Sequence, residues 1–157
     1  MWQGISEVES MTAVLDRMKG LLKASDMCVL ATCSEGKPHC SLMAYFSDDA
    51  VTVVYMVTLK QTQKYRNFQQ NPQVSLLVDT RNESPSAARS DIQALTVSGT
   101  FHPITDIAER KRVLDEISRR QPLLRELVGH EDAEPFAIRI ASFLLLDGAV
   151  DAFFAEI

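Results

Sequence analysis

Apolar residues recur every three or four positions in two long segments of the chain. Over residues 8–24 this spacing predicts an amphipathic helix, and Ser6 followed by Glu9 has the capping-box pattern for its first turn. Over residues 106–122 the same spacing predicts a second long helix. Both helices would therefore pack one apolar face against the rest of the molecule.

A shorter helix is predicted over residues 61–70. Tyr65 and Phe68 lie three positions apart, so they would face the same way on it. Asn71-Pro72 ends the segment, because the residue before a proline disfavours the helical region. A short helical turn is also expected over 122–128.

Between the helices the chain has short β-branched and apolar runs separated by turn residues. Strands are predicted over 27–33, 39–46, 51–57, 73–79 and 92–104, with one or two more over 135–150. The short turns between the first three strands predict an antiparallel meander. Residues 80–91 are almost without apolar side chains and predict a mobile loop, and Gly99 is expected to mark a bulge or a close approach.

This order of elements predicts a mainly β protein with flanking helices. No repeat or linker divides the chain, so residues 1–157 are expected to form a single domain. About six mostly antiparallel strands in a chain of this size predict a small closed or half-open barrel.

Composition narrows the classes of function. The net charge of −5 argues against nucleic acid as a partner, since binding to phosphate backbones needs a basic surface. No run of eighteen apolar residues is present, and the N-terminus lacks the pattern of a signal peptide. We therefore expect a cytoplasmic protein without a membrane partner.

Cys28, Cys33 and Cys40 lie close together in predicted strands but without a C-x-x-C spacing. We interpret them as reduced, mostly buried thiols and expect no metal site. A metal site is the alternative, although no histidine–cysteine spacing of the usual kind supports it.

One stretch combines hydroxyl and ammonium groups between two predicted strands. Thr58, Lys60, Thr62 and Lys64 occupy alternate positions just before and within the short helix. Such groups suit an anionic ligand, above all a phosphate, and a helix N-terminus adds backbone N–H donors. A solvated loop is the other interpretation of the same pattern.

Two quoted segments carry a resemblance to a known family. They are "CVLATCSEGKPHCSLMAYF" and "TLKQTQKYRNFQQNPQVSLLVD", followed later by "LTVSGTF". In their order they resemble the FMN-binding split-barrel proteins related to pyridoxamine 5'-phosphate oxidase, over roughly residues 10–145. The resemblance implies a six-stranded antiparallel split β-barrel of Greek-key type.

The resemblance also implies FMN as the cofactor and a homodimer with flavin sites at its interface. Lys64 and Thr62 would bind the flavin phosphate, the second strand would lie along the flavin, and Val57 and Thr58 would approach the ring through their backbone. Gln93 would reach the flavin of the partner subunit. The implied cofactor-binding residues are His39, Cys40, Ser41, Met43, Val57, Thr58, Thr62, Lys64 and Gln93.

Several positions depart from the true oxidase. Its arginine near the start of the second strand is replaced by His39 or Cys40, and the first member of its basic pair is replaced by Gln63. Ala44 or a neighbour stands where it has a substrate-binding lysine, and "FLLLDGAVDAFFAEI" contains no Arg-x-His motif. We therefore predict an FMN-dependent oxidoreductase of unknown small-molecule substrate, and not a pyridoxamine 5'-phosphate oxidase.

No catalytic acid or base stands out in the sequence, so a second class of function stays open. The same barrel could be a non-catalytic module that holds flavin or haem. For haem, the candidate axial ligands are His39, His102 and His130.

Overall fold

The computed structural model describes residues 10–83 and 88–157 of the chain. Its helices are α1 (Met11–Ala24), α2 (Gln63–Gln70), α3 (Ile107–Arg120) and the single turn α4 (Arg125–Val128). Short 3₁₀ turns span Arg89–Asp91 and Pro122–Leu124. Among the described residues, no helix is long and apolar enough to cross a membrane.

The strands form one antiparallel sheet. They are β1 (Met27–Ser34), β2 (Lys37–Ala44), β3 (Phe46–Ser47), β4 (Val53–Leu59), β5 (Gln73–Asp79), β6 (Gln93–Pro103), β7 (Ala133–Asp147) and β8 (Asp151–Glu156). The described part of the chain thus has eight strands, where six were predicted. Two sources account for the difference: Tyr45 separates β3 from β2, and residues 133–156 fold into a hairpin of two strands.

The sheet curls into a half-open barrel, in the strand order β2-β1-β5-β6-β7-β4-β3, with β8 added beside β7. The predicted meander of the first three strands is confirmed only in part. β1 pairs with β2, but Phe46–Ser47, at the end of the predicted second strand, pairs with β4 over two residues only, and the longer partner of β4 is β7. β2 and β4 approach each other without pairing, so β2 presents a free edge, whereas the same side of β4 pairs with β3 at Val54 and Tyr55.

Gly99 marks a bulge, as predicted. The register between β6 and β7 shifts between Ser98 and Gly99. A Cβ atom at Gly99 would lie 2.6 Å from the carbonyl oxygen of Arg139 and 2.7 Å from Cγ2 of Ile138. Only a glycine therefore permits this approach of the two backbones.

Apolar side chains pack on both sides of the curled sheet. Inside the barrel, α1 contributes Val14, Met18 and Leu22 to the main core, and α2 contributes Phe68. Outside, α3 packs Val113 and Ile117 against β3, β4 and β7. Tyr65 is partly buried against the main core beside Phe68, which confirms the predicted face of α2.

Two element boundaries differ from the predictions. Helix α1 begins at Met11 with Ser10 as its cap; Ser6 and Glu9, the predicted capping pair, lie outside the described residues. The third strand starts at Val53 rather than residue 51, because Asp48 accepts hydrogen bonds from the backbone N–H groups of Thr52 and Val53 and holds a turn there.

The predicted loop at 80–91 contains only a turn and a 3₁₀ turn in its described part. Residues 84–87 lie outside the described residues, and the mobility of the loop stays a prediction. The helix predicted over 106–122 and the turn over 122–128 are confirmed within two residues of their ends.

Candidate functional site

The end of β4 and the first turn of α2 bring hydroxyl and ammonium groups together. Thr58 continues the inner face of β4 that Val54 and Met56 occupy, and it is 2% exposed. Thr62 caps α2 by accepting a hydrogen bond from the backbone N–H of Tyr65. This places both threonines beside Lys64, and we call these three residues the Thr58–Lys64 cluster.

The side chains of this cluster form a chain of hydrogen bonds. Lys64 Nζ lies 3.5 Å from Thr58 Oγ1, which lies 3.1 Å from Thr62 Oγ1. Thr62 Oγ1 in turn donates to the carbonyl oxygen of Leu59 at 2.9 Å. Lysine has three donors, so an incoming anion would find donors on Lys64 that this chain does not use.

Lys64 carries a charge that its surroundings do not neutralise. Its side chain is half-buried, and burial lowers its pKa from the usual value for lysine. None of the described carboxylates forms an ion pair with it. Helix geometry also leaves the N–H groups of Gln63 and Lys64 without intrahelical acceptors at the positive end of α2.

The neighbouring basic residues face other partners. Lys60 Nζ lies 3.7 Å from Glu134, whose carboxylate also pairs with Arg110 at 2.7 Å. Arg66 donates to the carbonyl oxygen of Gln61 and to Gln63 within its own helix. Of the basic residues Lys60, Lys64 and Arg66, Lys64 is therefore the one whose charged group lies beside Thr58.

Strand β2 divides its predicted site residues between two faces. His39, Ser41 and Met43 lie opposite Thr32, Leu30 and Cys28 on the inner face. Met43 is buried in the main core, whereas His39 and Ser41 are half-buried.

Cys40 is exposed and points to the outer face. The expectation that the cysteines are mostly buried is therefore wrong, since only Cys28 is buried and Cys33 is intermediate. The outward direction of alternate residues on β1 and β2 is the reason. Among the described residues, no group of three histidine, cysteine or acidic side chains is placed to hold a metal ion.

Two further predicted site residues lie apart from the cluster within one chain. The side chain of Val57 is buried on the outer side of β4, against the core formed with α3, so it offers only its backbone. Gln93 begins β6 and donates from Nε2 to Asp147 at 3.2 Å. It does not join the Thr58–Lys64 cluster of its own chain.

His39 lines a cavity of about 440 Å³ between the β1–β2 hairpin and α2. Lys37, Gln63, Arg66 and Asn67 line the same cavity. Of the other histidines, His102 is half-buried opposite Ala137 on β7, and the exposed His130 accepts a hydrogen bond from the backbone N–H of Asp132. The three histidines thus lie on separate elements.

A cavity of about 800 Å³ lies between α3 and the turn after β3. Its charged side chains pair with one another: Glu116 accepts from Arg119 and Arg120, and Lys111 pairs with Asp115. It therefore does not offer an unpaired cation like that of Lys64.

The sequence analysis missed a buried polar contact beneath α2. Asn67 Nδ2 donates to Thr32 Oγ1 at 2.9 Å, and both residues are 2% exposed. In the sequence, Asn67 is one polar residue among several in "QKYRNFQQ", and no local signal separates it from them. Its partner on β1 is 35 residues away, so only the tertiary structure identifies the pair.

The outer face of the sheet carries a row of side chains that are apolar except for Thr96, called here the apolar row. Cross-strand pairing aligns Leu42, Val29, Leu77, Thr96, Leu144 and Phe154 over six strands. Leu42 is 72% exposed and Phe154 is 54% exposed. The next row holds the small residues Cys40, Ala31, Ser75, Ser98 and Ser142, and ends at Glu156.

Solved structures with a similar fold include proteins with different bound groups in their names. A pyridoxamine 5'-phosphate oxidase-like protein of Listeria innocua is 19% identical, with a TM-score of 0.67 over 86% of this chain and 99% of that one. An FAD-binding protein of Mesorhizobium loti is 18% identical, with a TM-score of 0.65 over 82% and 91%.

A haem-binding protein of Mycobacterium smegmatis is 15% identical, with a TM-score of 0.74 over 88% of this chain and 56% of that one. This chain therefore spans little more than half the length of that protein. At these identities the likeness shows the fold, an antiparallel split barrel with flanking helices.

The search of curated proteins finds no match. The family model described as pyridoxamine 5'-phosphate oxidase matches residues 14–138. The match includes β1, β2, β4, α2, β5 and β6, with all nine predicted site residues. On this evidence the chain belongs to the pyridoxamine 5'-phosphate oxidase family.

Proposed function

We propose that this protein binds FMN and uses it as an oxidoreductase on a small organic molecule. The observation that carries the proposal is the Thr58–Lys64 cluster, in which a half-buried ammonium group lies beside hydroxyls and a helix N-terminus. A dianionic phosphate would supply the opposite charge that no described carboxylate gives the half-buried Lys64.

The residues present fit the phosphate end of the flavin. Lys64 supplies donors and the first turn of α2 supplies backbone N–H groups. Buried Thr58 positions Lys64, and its one proton is donated to Thr62. Thr62 contributes less directly, because its hydroxyl caps the helix and donates to Leu59. The free edge of β2, from His39 to Met43, offers backbone donors and acceptors to the remainder of the cofactor.

A bound flavin supplies hydride or electron transfer, and the protein supplies orientation and electrostatics. Half-buried Ala44 ends β2 and provides neither charge nor hydrogen-bonding side chain there. Strand β8 has the sequence DAFFAE, again without a basic residue. These positions support a substrate other than pyridoxamine 5'-phosphate.

The proposal is tested by titrating the protein with FMN and with riboflavin, which lacks the phosphate. Wild type should bind FMN more tightly than riboflavin. Lys64→Ala should weaken FMN binding by about ten- to a hundredfold, the usual value of a charge-assisted contact, and leave riboflavin binding unchanged. Lys60→Ala is the matched control, because Lys60 faces Glu134 and should not affect the FMN preference.

Equal affinity of wild type for the two flavins, or no binding of either, would refute the proposal. A visible spectrum of the purified protein separates it from its alternative. Flavin gives a yellow protein, whereas haem gives a sharp Soret band. A haem-holding module is the second candidate, because a haem-binding protein shares the fold and His39 lines an open cavity.

We also propose that the working form is a homodimer with flavin sites at its interface. The apolar row from Leu42 to Phe154 spans six strands and five strand spacings, about 24 Å at the usual spacing. With strands about 20 Å long the face has on the order of 500 Å², somewhat below the roughly 800 Å² that each partner of a standard interface buries.

The binding partner that suits this face is a second copy of the same chain. The same face of two copies can meet through a two-fold axis, and the small residues beside the apolar row let the two sheets approach closely. Gln93 shares the inward face of β6 with Leu95 and Val97, so this packing does not itself direct its side chain to the partner's flavin. We retain the cytoplasm as the proposed location, since Cys28, Cys33 and Cys40 are free thiols.

A further inference from the structure

Helix α2 depends on its neighbours for its position. It has eight residues, and helices of that length are not stable alone in water. Its buried side chains are Asn67 and Phe68. Phe68 stacks on Phe101 with ring centroids 4.4 Å apart, but stacked rings can slide over each other at small cost.

Asn67 supplies the directional contact that the aromatic packing lacks. Its Nδ2 donates to Thr32 Oγ1 at 2.9 Å, and its Oδ1 accepts from Gln63 Nε2 at 2.8 Å. Both Asn67 and Thr32 are buried, so neither can replace its partner with water. The hydrogen bond therefore fixes the position of α2 along β1.

The position of α2 sets the geometry of the Thr58–Lys64 cluster. Lys64 lies one helical turn before Asn67, whereas Thr58 belongs to β4 and does not move with the helix. A shift of α2 by a fraction of its pitch would separate Lys64 Nζ from Thr58 Oγ1, now 3.5 Å apart. Binding sites lose affinity when their groups move by about 1 Å.

We propose that the buried Asn67–Thr32 hydrogen bond is a positioning contact for phosphate recognition, holding Lys64 where it meets the phosphate of a flavin mononucleotide. The inference rests on the proposed FMN binding and assigns to these two residues the selectivity for the phosphorylated flavin. Neither residue touches the phosphate, so both act through Lys64 and the first turn of α2.

The test compares FMN and riboflavin dissociation constants for Thr32→Val and Thr32→Ser. Valine has the shape of threonine without its hydroxyl, whereas serine keeps the hydroxyl. We expect Thr32→Val to weaken FMN binding at least about tenfold while riboflavin affinity stays within about twofold. Thr32→Ser should keep the preference for FMN.

The pair formed by Ser34 and Gln70 provides a matched control. It also joins β1 to α2 through side chains, but at an exposed position at the far end of the helix. Ser34→Ala should leave both affinities unchanged. Amide hydrogen exchange within α2 establishes that the helix is still formed in each variant.

Three results would overturn the inference: an unchanged FMN preference in Thr32→Val, an equal loss of FMN and riboflavin binding, or the same loss in Thr32→Ser. The second and third would mean that Thr32 only maintains packing. Failure of the proposed function is seen separately, as a wild-type protein that does not prefer FMN over riboflavin.

Discussion

At the scale of single residues, Gly99 gives the sharpest steric prediction. An alanine Cβ there would lie 2.6 Å from the backbone oxygen of Arg139, which belongs to β7 and cannot rotate away. We expect Gly99→Ala to lower the free energy of unfolding by about 1–3 kcal/mol, as overpacking usually does. Urea denaturation followed by circular dichroism measures it.

Gly20 is the control for that substitution. It lies on an exposed part of α1, and a Cβ atom there would meet nothing within 4 Å. Gly20→Ala should therefore raise the free energy of unfolding by up to about 1 kcal/mol, because alanine favours the helix. If both variants shifted stability in the same direction, the steric explanation for Gly99 would be wrong.

Glu116 gives a prediction of pH dependence. Hydrogen bonds from Arg119 and then Arg120 lower its pKa from 4.5 to about 2. The folded state thus binds this proton more weakly than the unfolded state, so the contribution is complete above pH 4.5 and is lost as the pH falls towards 2. Solvent limits its size to below about 1 kcal/mol.

The variant Glu116→Gln removes this titrating group. Between pH 4.5 and about 2, the difference in unfolding free energy between wild type and variant should shrink as the pH falls. Urea titrations at several pH values measure that difference. A difference that grew with acidity would contradict the assigned direction of the pKa shift.

At the scale of elements, α3 is held to the sheet by the ion pair between half-buried Arg110 and buried Glu134, as well as by Val113 and Ile117. Arg110 donates two hydrogen bonds to Glu134 on β7, at 2.7 and 3.1 Å, and a third to the carbonyl oxygen of Ile104. Glu134 is 8% exposed. Removing the arginine would leave a buried carboxylate with Lys60 as its remaining cation.

We therefore expect Arg110→Met to lower the unfolding free energy by about 3 kcal/mol, the lower end of the range for breaking a buried pair. Chemical denaturation measures the loss. The double variant Arg110→Met/Glu134→Gln should recover part of it, since no buried charge remains. Arg112→Met is the control on the same helix, because its ion pair with Glu109 is exposed and 3.9 Å long.

The helices and most strands could be predicted from the sequence because their signals are local. The spacing of Val113 and Ile117 marks α3, and the alternation in residues 73–79 marks β5. The partner of β4 could not be predicted, because pairing with β7 joins segments about eighty residues apart, as in Val54 with Ile138.

The candidate site was likewise predictable from the sequence only in part. Thr58, Thr62 and Lys64 are neighbours in sequence, so their proximity in the fold was predictable from one strand and one short helix. The contacts that orient the site come from residues distant in sequence. Glu134 forms an ion pair with Lys60, and Thr32 accepts a hydrogen bond from Asn67. Such pairings depend on tertiary structure and leave no local pattern.

At the scale of the whole molecule, the fold of a single chain does not explain why the outer face of the sheet exposes apolar side chains. Its apolar row consists of side chains on six strands that point away from the barrel interior. A monomer would keep Leu42 and Phe154 in water. Burying such side chains contributes about 25 cal/mol for each Å² of apolar surface, which favours association through this face.

Leu42→Glu tests the proposed dimer, because it places a charge on the most exposed leucine of the row, at the edge strand β2. We expect wild type to sediment as a dimer and Leu42→Glu as a monomer in analytical ultracentrifugation. Leu123→Glu is the control, since Leu123 is 95% exposed on the turn before α4, away from the sheet face, and should leave the dimer intact.

FMN titration of the same variants connects the assembly to the site. If the flavin sites lie at the interface, Leu42→Glu should weaken FMN binding together with dimerisation, while Leu123→Glu should change neither. A monomeric wild type would refute the dimer. A monomeric Leu42→Glu variant with wild-type FMN affinity would show that each chain completes its site alone, so that Gln93 would have no role at the flavin of the partner subunit.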